Sequence, residues 1–308
     1  MRLDDFDPNI NVGEEQDRGG GGFGFGGGGG GGGLLFGLLP LIGSRFGCGG
    51  IVVVLLLLAV FGGGLGGLSG FLGGGEGGAP VTRSAPAGGG GGVSQICREN
   101  DARHAACNAF SSADETWAAL FEQQGQQFRA PGLIFYSRNG DSGCGAAQSA
   151  MGPFYCPADQ RIYLDTSFFD ELQTRFGAKG DFAQDYVIAH EFGHHIQNLL
   201  GVSDKVAQAQ RSGDATQGNA ASVRLELQAD CYAGVWAARN RDRLEPGDVQ
   251  EGLTAANAIG DDTLQKEAGR RPVPDSFTHG TSAERMHWLK VGLDSGDPTQ
   301  CDTFSGTI

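Results

Sequence analysis

Glycine is distributed very unevenly along this chain of 308 residues. Of its 56 glycines, 35 precede Val93 and 21 are spread over the remaining 216 residues. A segment so rich in glycine lacks the mixed apolar side chains that are needed to bury a core. The sequence from Val93 onward has an ordinary composition and is long enough for one compact domain. We therefore expect the function to reside in residues 93–308.

The charge balance excludes one large class of function. The chain has 36 acidic and 22 basic residues, which gives a formal net charge of -14 at pH 7. Such a charge disfavours attraction to nucleic acids and to anionic membrane surfaces. We expect no nucleic-acid partner, and a strongly acidic substrate is also disfavoured.

Residues 46–68 contain no charged side chain, and residues 51–61 read IVVVLLLLAVF. This uncharged segment is long enough to cross a bilayer as a helix, which takes about 20 residues. A buried core helix and a cleaved signal sequence are the alternatives, although a signal sequence normally begins nearer the start of a chain. We expect an acidic, glycine-rich disordered tail over 1–45, a transmembrane helix over 46–68 and a Gly/Ala/Pro linker over 69–92.

Basic residues that flank an apolar span indicate its orientation. Arg45 directly precedes the span and Arg83 follows it at a distance, which favours a cytoplasmic N-terminus. We therefore expect a single-pass membrane protein that is held in the membrane by one helix, with residues 93–308 outside the cytoplasm.

The cysteine content is compatible with an exported domain. Cys48 lies in the apolar segment, and six cysteines remain in the domain, an even number that favours up to three disulfides. Closeness in sequence favours Cys97 with Cys107 and Cys144 with Cys156, which leaves Cys231 for Cys301; other connectivities stay open. The sequence contains no CxxC motif, so a cysteine zinc site is not expected.

The apolar periodicity of residues 93–308 predicts a mainly helical α+β domain with a small sheet. Strands are expected over 133–137 and 161–165, because both segments are short, rich in β-formers and bounded by turn residues. Helices are expected over 95–124, 166–176, 181–201, 219–240, 246–259 and 282–293.

The helix expected over 181–201 carries an HExxH motif formed by His190, Glu191 and His194. Histidines four residues apart lie on one helix face one turn apart, so both imidazoles can reach the same ion. The intervening Glu191 can reach a water bound to that ion, and this arrangement suits zinc. The alternative is a solvated polar surface, which leaves the coincidence of these groups on an apolar helix unexplained.

A catalytic zinc requires a third protein ligand and one open position. The extended motif HExxHxxGxxH is absent, because residue 197 is Gln and residue 201 is Gly. Glu226 and Asp230 lie four residues apart on the helix expected over 219–240. One acid of such a pair can bind the metal while the other accepts a hydrogen bond from a ligand histidine. We predict that Glu226 is the ligand and that Asp230 orients His190, the alternative being a solvated acidic face.

Four segments of the sequence resemble known metallopeptidases. HEFGHHIQ (190–197) and ELQADCYAG (226–234) resemble the HExxH and ExxxD elements of gluzincin-type enzymes. GPFYCPADQRIYLDTSFF (152–169) and FTHGTSAER (277–285) resemble the bacterial putative neutral zinc metallopeptidase family, which has an N-terminal membrane helix. The resemblance covers the chain, most closely from about residue 150 to 290. It implies a zincin-like fold and a zinc-dependent endopeptidase that acts on protein or peptide substrates.

The expected mechanism is peptide-bond hydrolysis by a water on one zinc ion, which is held by His190, His194 and Glu226, with Glu191 as general base. His279 is a candidate oxyanion donor, although a plain turn histidine is equally compatible with its position. By resemblance, strand 161–165 is a candidate edge for binding the substrate, with a packed interior strand as the alternative. His195 is expected to be a packing residue or an outer partner of the site and not a ligand, whereas His104 and His287 are expected to be partly buried or surface residues. The competing function is a membrane-tethered zinc-binding or interaction protein without turnover, and a less favoured one is a metal hydrolase that acts on a non-peptide substrate. The sequence does not indicate an oligomeric state.

Overall fold

A computed structural model describes residues 1–15, 90–211, 213–306 and 308, which belong to one compact unit. This unit is mainly helical with a small sheet, as the sequence predicted. Its helices are α1 (Gly90–Cys97), α2 (Asp101–Gln123), α3 (Ser167–Thr174), α4 (Asp181–Leu199), α5 (Val202–Arg211), α6 (Ala215–Arg239), α7 (Asp248–Ala258), α8 (Asp261–Glu267) and α9 (Ser282–Ser295). The strands are β1 (Val12–Glu14), β2 (Gly132–Phe135), β3 (Asn139–Ser142), β4 (Gly145–Gln148), β5 (Phe154–Cys156) and β6 (Arg161–Leu164).

The main sheet has the order β1-β2-β6-β5, and β3 pairs with β4 in a separate hairpin. Strands β1, β2 and β6 are parallel, whereas β5 runs antiparallel to β6. Of the two alternatives for residues 161–165, the sheet edge is wrong and the interior strand is observed, because β6 is hydrogen-bonded to a strand on each side. Strand β5 was not predicted from the sequence, because its three residues lie in a segment rich in turn residues. The edge beside β6 is therefore β5.

The first 15 residues are part of the fold, which differs from the disordered tail expected over 1–45. Strand β1 pairs with β2, and the side chains of Phe6 and Val12 are buried in the core. Glu14 forms an ion pair with Arg103 of α2 at 2.6 Å. The remainder of the expected tail and the linker expected over 69–92 lie outside the described residues, except for residues 90–92 at the start of α1. This packing could have been predicted from the apolar residues that are spaced through the acidic N-terminal segment.

The structure does not support a transmembrane helix. No helix in the described parts of the chain is both long enough and apolar enough to cross a bilayer. The two longest, α2 and α6, contain charged residues such as Arg103 and Asp230 and bury their apolar faces in the protein core. The segment 46–68, for which the span was predicted, lies outside the described residues. The fold class is therefore corrected to a mainly helical α+β domain with a small sheet, and a single-pass membrane protein is not supported.

Close helix packing around α6 depends on three glycines. A Cβ atom on Gly193 of α4 would lie 3.1 Å from backbone atoms of Ala229, and one on Gly292 of α9 would lie 1.9 Å from the Cys231 carbonyl oxygen. Gly234 of α6 also packs against α9, where an added Cβ would meet Leu289 O at 2.2 Å. Helix α6 is thus held closely between α4 and α9.

The three disulfides expected from sequence proximity are confirmed. Cys97 is bonded to Cys107, Cys144 to Cys156 and Cys231 to Cys301. The first joins α1 to α2, and the second joins the β3–β4 hairpin to β5. The third closes the longest loop, with a sequence separation of 70, and attaches the C-terminal segment to α6.

Asp114 of α2 carries a largely buried carboxyl group that lowers the stability of the fold at neutral pH. Burial, followed by the charges of Glu115 and Asp7, raises the pKa of Asp114 to about 6, and its Oδ1 atom is buried with no hydrogen-bond partner in the described residues. The folded state binds this proton more tightly than the unfolded state, whose pKa is 3.8. The stabilisation that comes from protonating Asp114 is therefore complete below about pH 4 and is lost as the pH rises through 6.

We expect Asp114→Asn to raise the free energy of unfolding by about 1–2 kcal/mol at pH 7.5, after discounting for partial exposure, and to change it little at pH 4. Urea unfolding at both pH values measures this effect. Asp170→Asn, on the exposed face of α3, is the matched control. An equal stabilisation by Asp114→Asn at both pH values would contradict the electrostatic cause.

Candidate metal centre

Helix α4 presents the HExxH motif inside the protein. It begins after its N-cap residue Gly180, and it ends before Gly201, whose φ of 71° is the left-handed conformation favoured after a helix. Ile188, Phe192 and Ile196 are fully buried in the core. His190 and Glu191 are also buried, and the His190 imidazole contacts Glu226 and Asp230 of α6.

The three predicted metal ligands lie together. The nearest ligand atoms of His190, His194 and Glu226 are all within 4.8 Å of one another. The His190 Nε2 atom is 3.2 Å from Glu226 Oε2, and the His194 Nε2 atom is 3.4 Å from Glu226 Oε1. Close packing of α4 against α6 at Gly193 brings the two histidines and the acid to these distances.

These atoms suit zinc in both chemistry and spacing. Two imidazole nitrogens and a carboxylate are the donors found in catalytic zinc sites. Zinc bonds of about 2.0–2.2 Å place neighbouring ligands of a tetrahedral ion about 3.3 Å apart. The observed separations of 3.2 and 3.4 Å agree with this value. Three protein ligands would leave a fourth position for water or substrate.

The electrostatic surroundings favour positive charge at this position. Burial alone would raise the pKa of Glu226, but attraction to His194 and hydrogen bonds from both histidines hold it well below its usual value. Burial likewise opposes charge on His190, yet the charge and hydrogen bond of Asp230 raise its pKa to about 10. Protons and a metal ion compete for the same nitrogens, so metal binding would weaken as the pH falls.

The second nitrogen of each histidine also has a defined partner. His190 Nδ1 lies 2.8 Å from Asp230 Oδ1, the contact that the sequence predicted for this acid. Arg285 of α9 binds both Asp230 oxygens, at 2.8 and 2.9 Å, and Tyr186 donates its hydroxyl hydrogen to Oδ1. His194 Nδ1 lies 2.8 Å from Gln197 Oε1.

Sequence reasoning did not assign roles to three of these partners, namely Arg285, Tyr186 and Gln197. Arg285 comes from α9, about 55 residues after Asp230, so no local spacing connects it to the motif. Tyr186 and Gln197 lie one turn before His190 and about one turn after His194, and helical periodicity was the only signal available for them.

Glu191 lies beside the ligand cluster in a position suited to proton transfer. Burial raises the pKa of its carboxyl group, while the charges of His194 and His190 act in the opposite direction. The backbone N–H of Tyr155 in β5 also acts to lower the pKa of this carboxyl group. A carboxylate with a raised pKa is a better proton acceptor near neutral pH.

His279 lies near the cluster on the loop before α9, and its side chain is half exposed. Its Nδ1 atom is 3.3 Å from Asp261 Oδ1, and the same acid accepts backbone N–H groups of Thr278, His279 and Gly280. Desolvation opposes charge on His279, but Asp261 and then Glu226 raise its pKa, so the imidazole is close enough to sense the ligand acid. The sequence did not identify Asp261.

The other histidines are packing or surface residues, as expected. His195 is buried between Arg129 O, at 2.6 Å, and the Tyr155 hydroxyl, at 3.0 Å. Burial lowers the pKa of His195 to about 4. His104 is partly exposed beside Asp5, and His287 packs edge-on against Trp288.

Comparisons with known proteins agree with this geometry. The family model described as "Putative neutral zinc metallopeptidase" matches residues 7–304. The chain is 51% identical over 212 residues to "Uncharacterized protein YpfJ" of Escherichia coli (strain K12), which covers 68% of this chain and 74% of that protein. It is 44% identical over 208 residues to "Uncharacterized protein Mb2605" of Mycobacterium bovis, covering 63% and 68% respectively. No solved structure matches the chain. Because the family model spans nearly the whole sequence, the chain belongs to the putative neutral zinc metallopeptidase family.

Proposed function

We propose that this protein hydrolyses peptide bonds in a zinc-dependent reaction, with His190, His194 and Glu226 as the metal ligands. The observation that carries the proposal is the convergence of these ligand atoms within 4.8 Å, with Glu191 on the same face of α4. A purely structural ion would gain nothing from an acid placed beside an open coordination position. Membership of a zinc metallopeptidase family supports the same chemistry.

A bound zinc ion would supply positive charge that lowers the pKa of a coordinated water and polarises the substrate carbonyl. Glu191 removes a proton from the attacking water and then delivers it to the leaving amine. His279 donates a hydrogen bond to the carbonyl oxygen as negative charge develops there. Asp261 positions His279 through its ring nitrogen and through the backbone of the same loop.

The peptide substrate pairs with the outer edge of β5 by strand addition. Strand β5 is hydrogen-bonded to β6 on one side, and it has no other partner strand among the described residues. Tyr155 links this strand to α4, because its hydroxyl contacts His195 and Asn198 and its backbone N–H acts on the pKa of Glu191. A backbone bound along β5 would therefore lie close to Glu191.

Elemental analysis of the purified full-length chain tests the metal site. We expect about one tightly held zinc per chain in the parent and much less in Glu226→Ala, because the variant keeps only two of the three ligands. Glu171→Ala, on the exposed face of α3, is the matched control and should retain the parent's zinc. Equal zinc contents in the parent and Glu226→Ala, or no zinc in the parent after reconstitution, would contradict the assignment.

A further inference from the structure

We propose that Gln197 and Gln228 form an amide chain that fixes the tautomer of His194 and directs its Nε2 atom towards the metal. The proposal rests on the metal site of the proposed function and adds two positioning residues to it. The chain runs from His194 through Gln197 and Gln228 to the backbone carbonyl of Cys301. It connects a predicted ligand of α4 to the C-terminal segment.

The direction of each hydrogen bond follows from the ends of the chain. A backbone carbonyl can only accept, whereas an amide side chain can present either its oxygen or its NH2 group. The Gln228 Nε2 atom lies 2.9 Å from the Cys301 carbonyl, so it must donate there. This orientation turns Gln228 Oε1 towards Gln197 Nε2, at 3.1 Å.

A second carbonyl fixes Gln197 independently. Its Nε2 atom donates to Leu225 O of α6 at 2.7 Å, and its second hydrogen is used by Gln228. The only atom of the Gln197 amide that remains for His194 is Oε1, which accepts from Nδ1 at 2.8 Å. Neutral His194 therefore carries its proton on Nδ1, which leaves the lone pair of Nε2, 3.4 Å from Glu226 Oε1, available to a metal ion.

The chain is shielded from water and anchored to the helix that carries Glu226. Gln197 is fully buried, and Gln228 and Cys301 are also buried, so solvent does not compete for these hydrogen bonds. The Cys231–Cys301 disulfide fixes the terminal carbonyl relative to α6. Beyond the disulfide, the Thr303 hydroxyl donates to Arg224 O at 2.6 Å.

The test compares zinc affinity with stability in the full-length chain. Chelator competition gives the zinc dissociation constant, and thermal unfolding of the zinc-free protein gives the stability. We expect Gln197→Leu to weaken zinc binding by about 10- to 100-fold, the usual cost of losing an outer partner of a ligand histidine. Gln228→Leu should cause a smaller loss of zinc affinity. The matched control is Gln210→Leu, which changes an exposed glutamine of α5.

Gln197→Glu separates positioning from packing. The carboxylate of the variant still accepts a hydrogen bond from His194 Nδ1. Its other oxygen replaces the NH2 group and faces two further acceptors, Leu225 O and Gln228 Oε1, which lowers stability. We expect zinc affinity close to that of the wild type together with a lower unfolding temperature than Gln197→Leu. Zinc binding by Gln197→Leu within twofold of the wild type, or equally weak binding by the Glu and Leu variants, would overturn the proposal. No zinc binding by the wild-type chain would overturn the proposed function together with it.

Discussion

Replacing Glu191 by glutamine is expected to remove nearly all peptide hydrolysis while the chain still folds and binds zinc. The amide has nearly the same shape as the carboxylate but cannot accept a proton from the attacking water. General acid–base catalysis contributes about 10²–10⁴-fold, so we expect kcat to fall by roughly 10³-fold. Glu191 lies beside the predicted ligands and is not one of them, so zinc binding should persist. Cleavage of an unstructured protein, followed together with zinc content, measures the effect.

The matched control for this substitution is Glu171→Gln, which changes an exposed glutamate of α3. It should leave both hydrolysis and zinc content unchanged. Full activity in a zinc-loaded Glu191→Gln protein would rule out Glu191 as the general base. Parallel loss of zinc and activity would instead place Glu191 among the groups that hold the metal.

Replacing Arg285 by methionine is expected to lower the free energy of unfolding by about 3–5 kcal/mol, because it leaves a buried carboxylate without its counter-charge. Arg285 and Asp230 are both almost fully buried, and the guanidinium binds both carboxylate oxygens. Burial alone would raise the pKa of Asp230, whereas Arg285 and then His190 keep it below its usual value. Urea unfolding of the zinc-free chain at pH 7.5 measures the loss.

A double variant identifies the cause of that loss. Arg285→Met combined with Asp230→Asn removes both charges, so it should recover part of the stability lost by Arg285→Met alone. Arg241→Met is the matched control, since Arg241 is exposed and donates to the Leu293 carbonyl. If Arg285→Met lowered stability by less than about 1 kcal/mol, the ion pair with Asp230 would not be the buried interaction inferred here.

Much of the helical framework could be read from periodicity. Helix α4 was expected over 181–201 and is observed at Asp181–Leu199, because its apolar residues recur with helical spacing and Gly201 ends it. Two of the disulfides also followed from proximity, since each short-range pair bridges neighbouring elements, and the pair Cys231–Cys301 then followed by elimination. Strand β5 and the packing of the first 15 residues were missed, because three-residue strands carry too little periodicity to be recognised.

The sequence by itself determined which groups are available for chemistry: the HExxH spacing places His190, Glu191 and His194 on one helix, and Glu226 and Asp230 share a face of another. Only the tertiary structure decided how these helices meet, because their distance depends on the close approach at Gly193. It also supplied Arg285, Asp261 and the carbonyl of Cys301, which come from distant segments. Contacts of this kind depend on packing between elements, and no local pattern in the sequence records them.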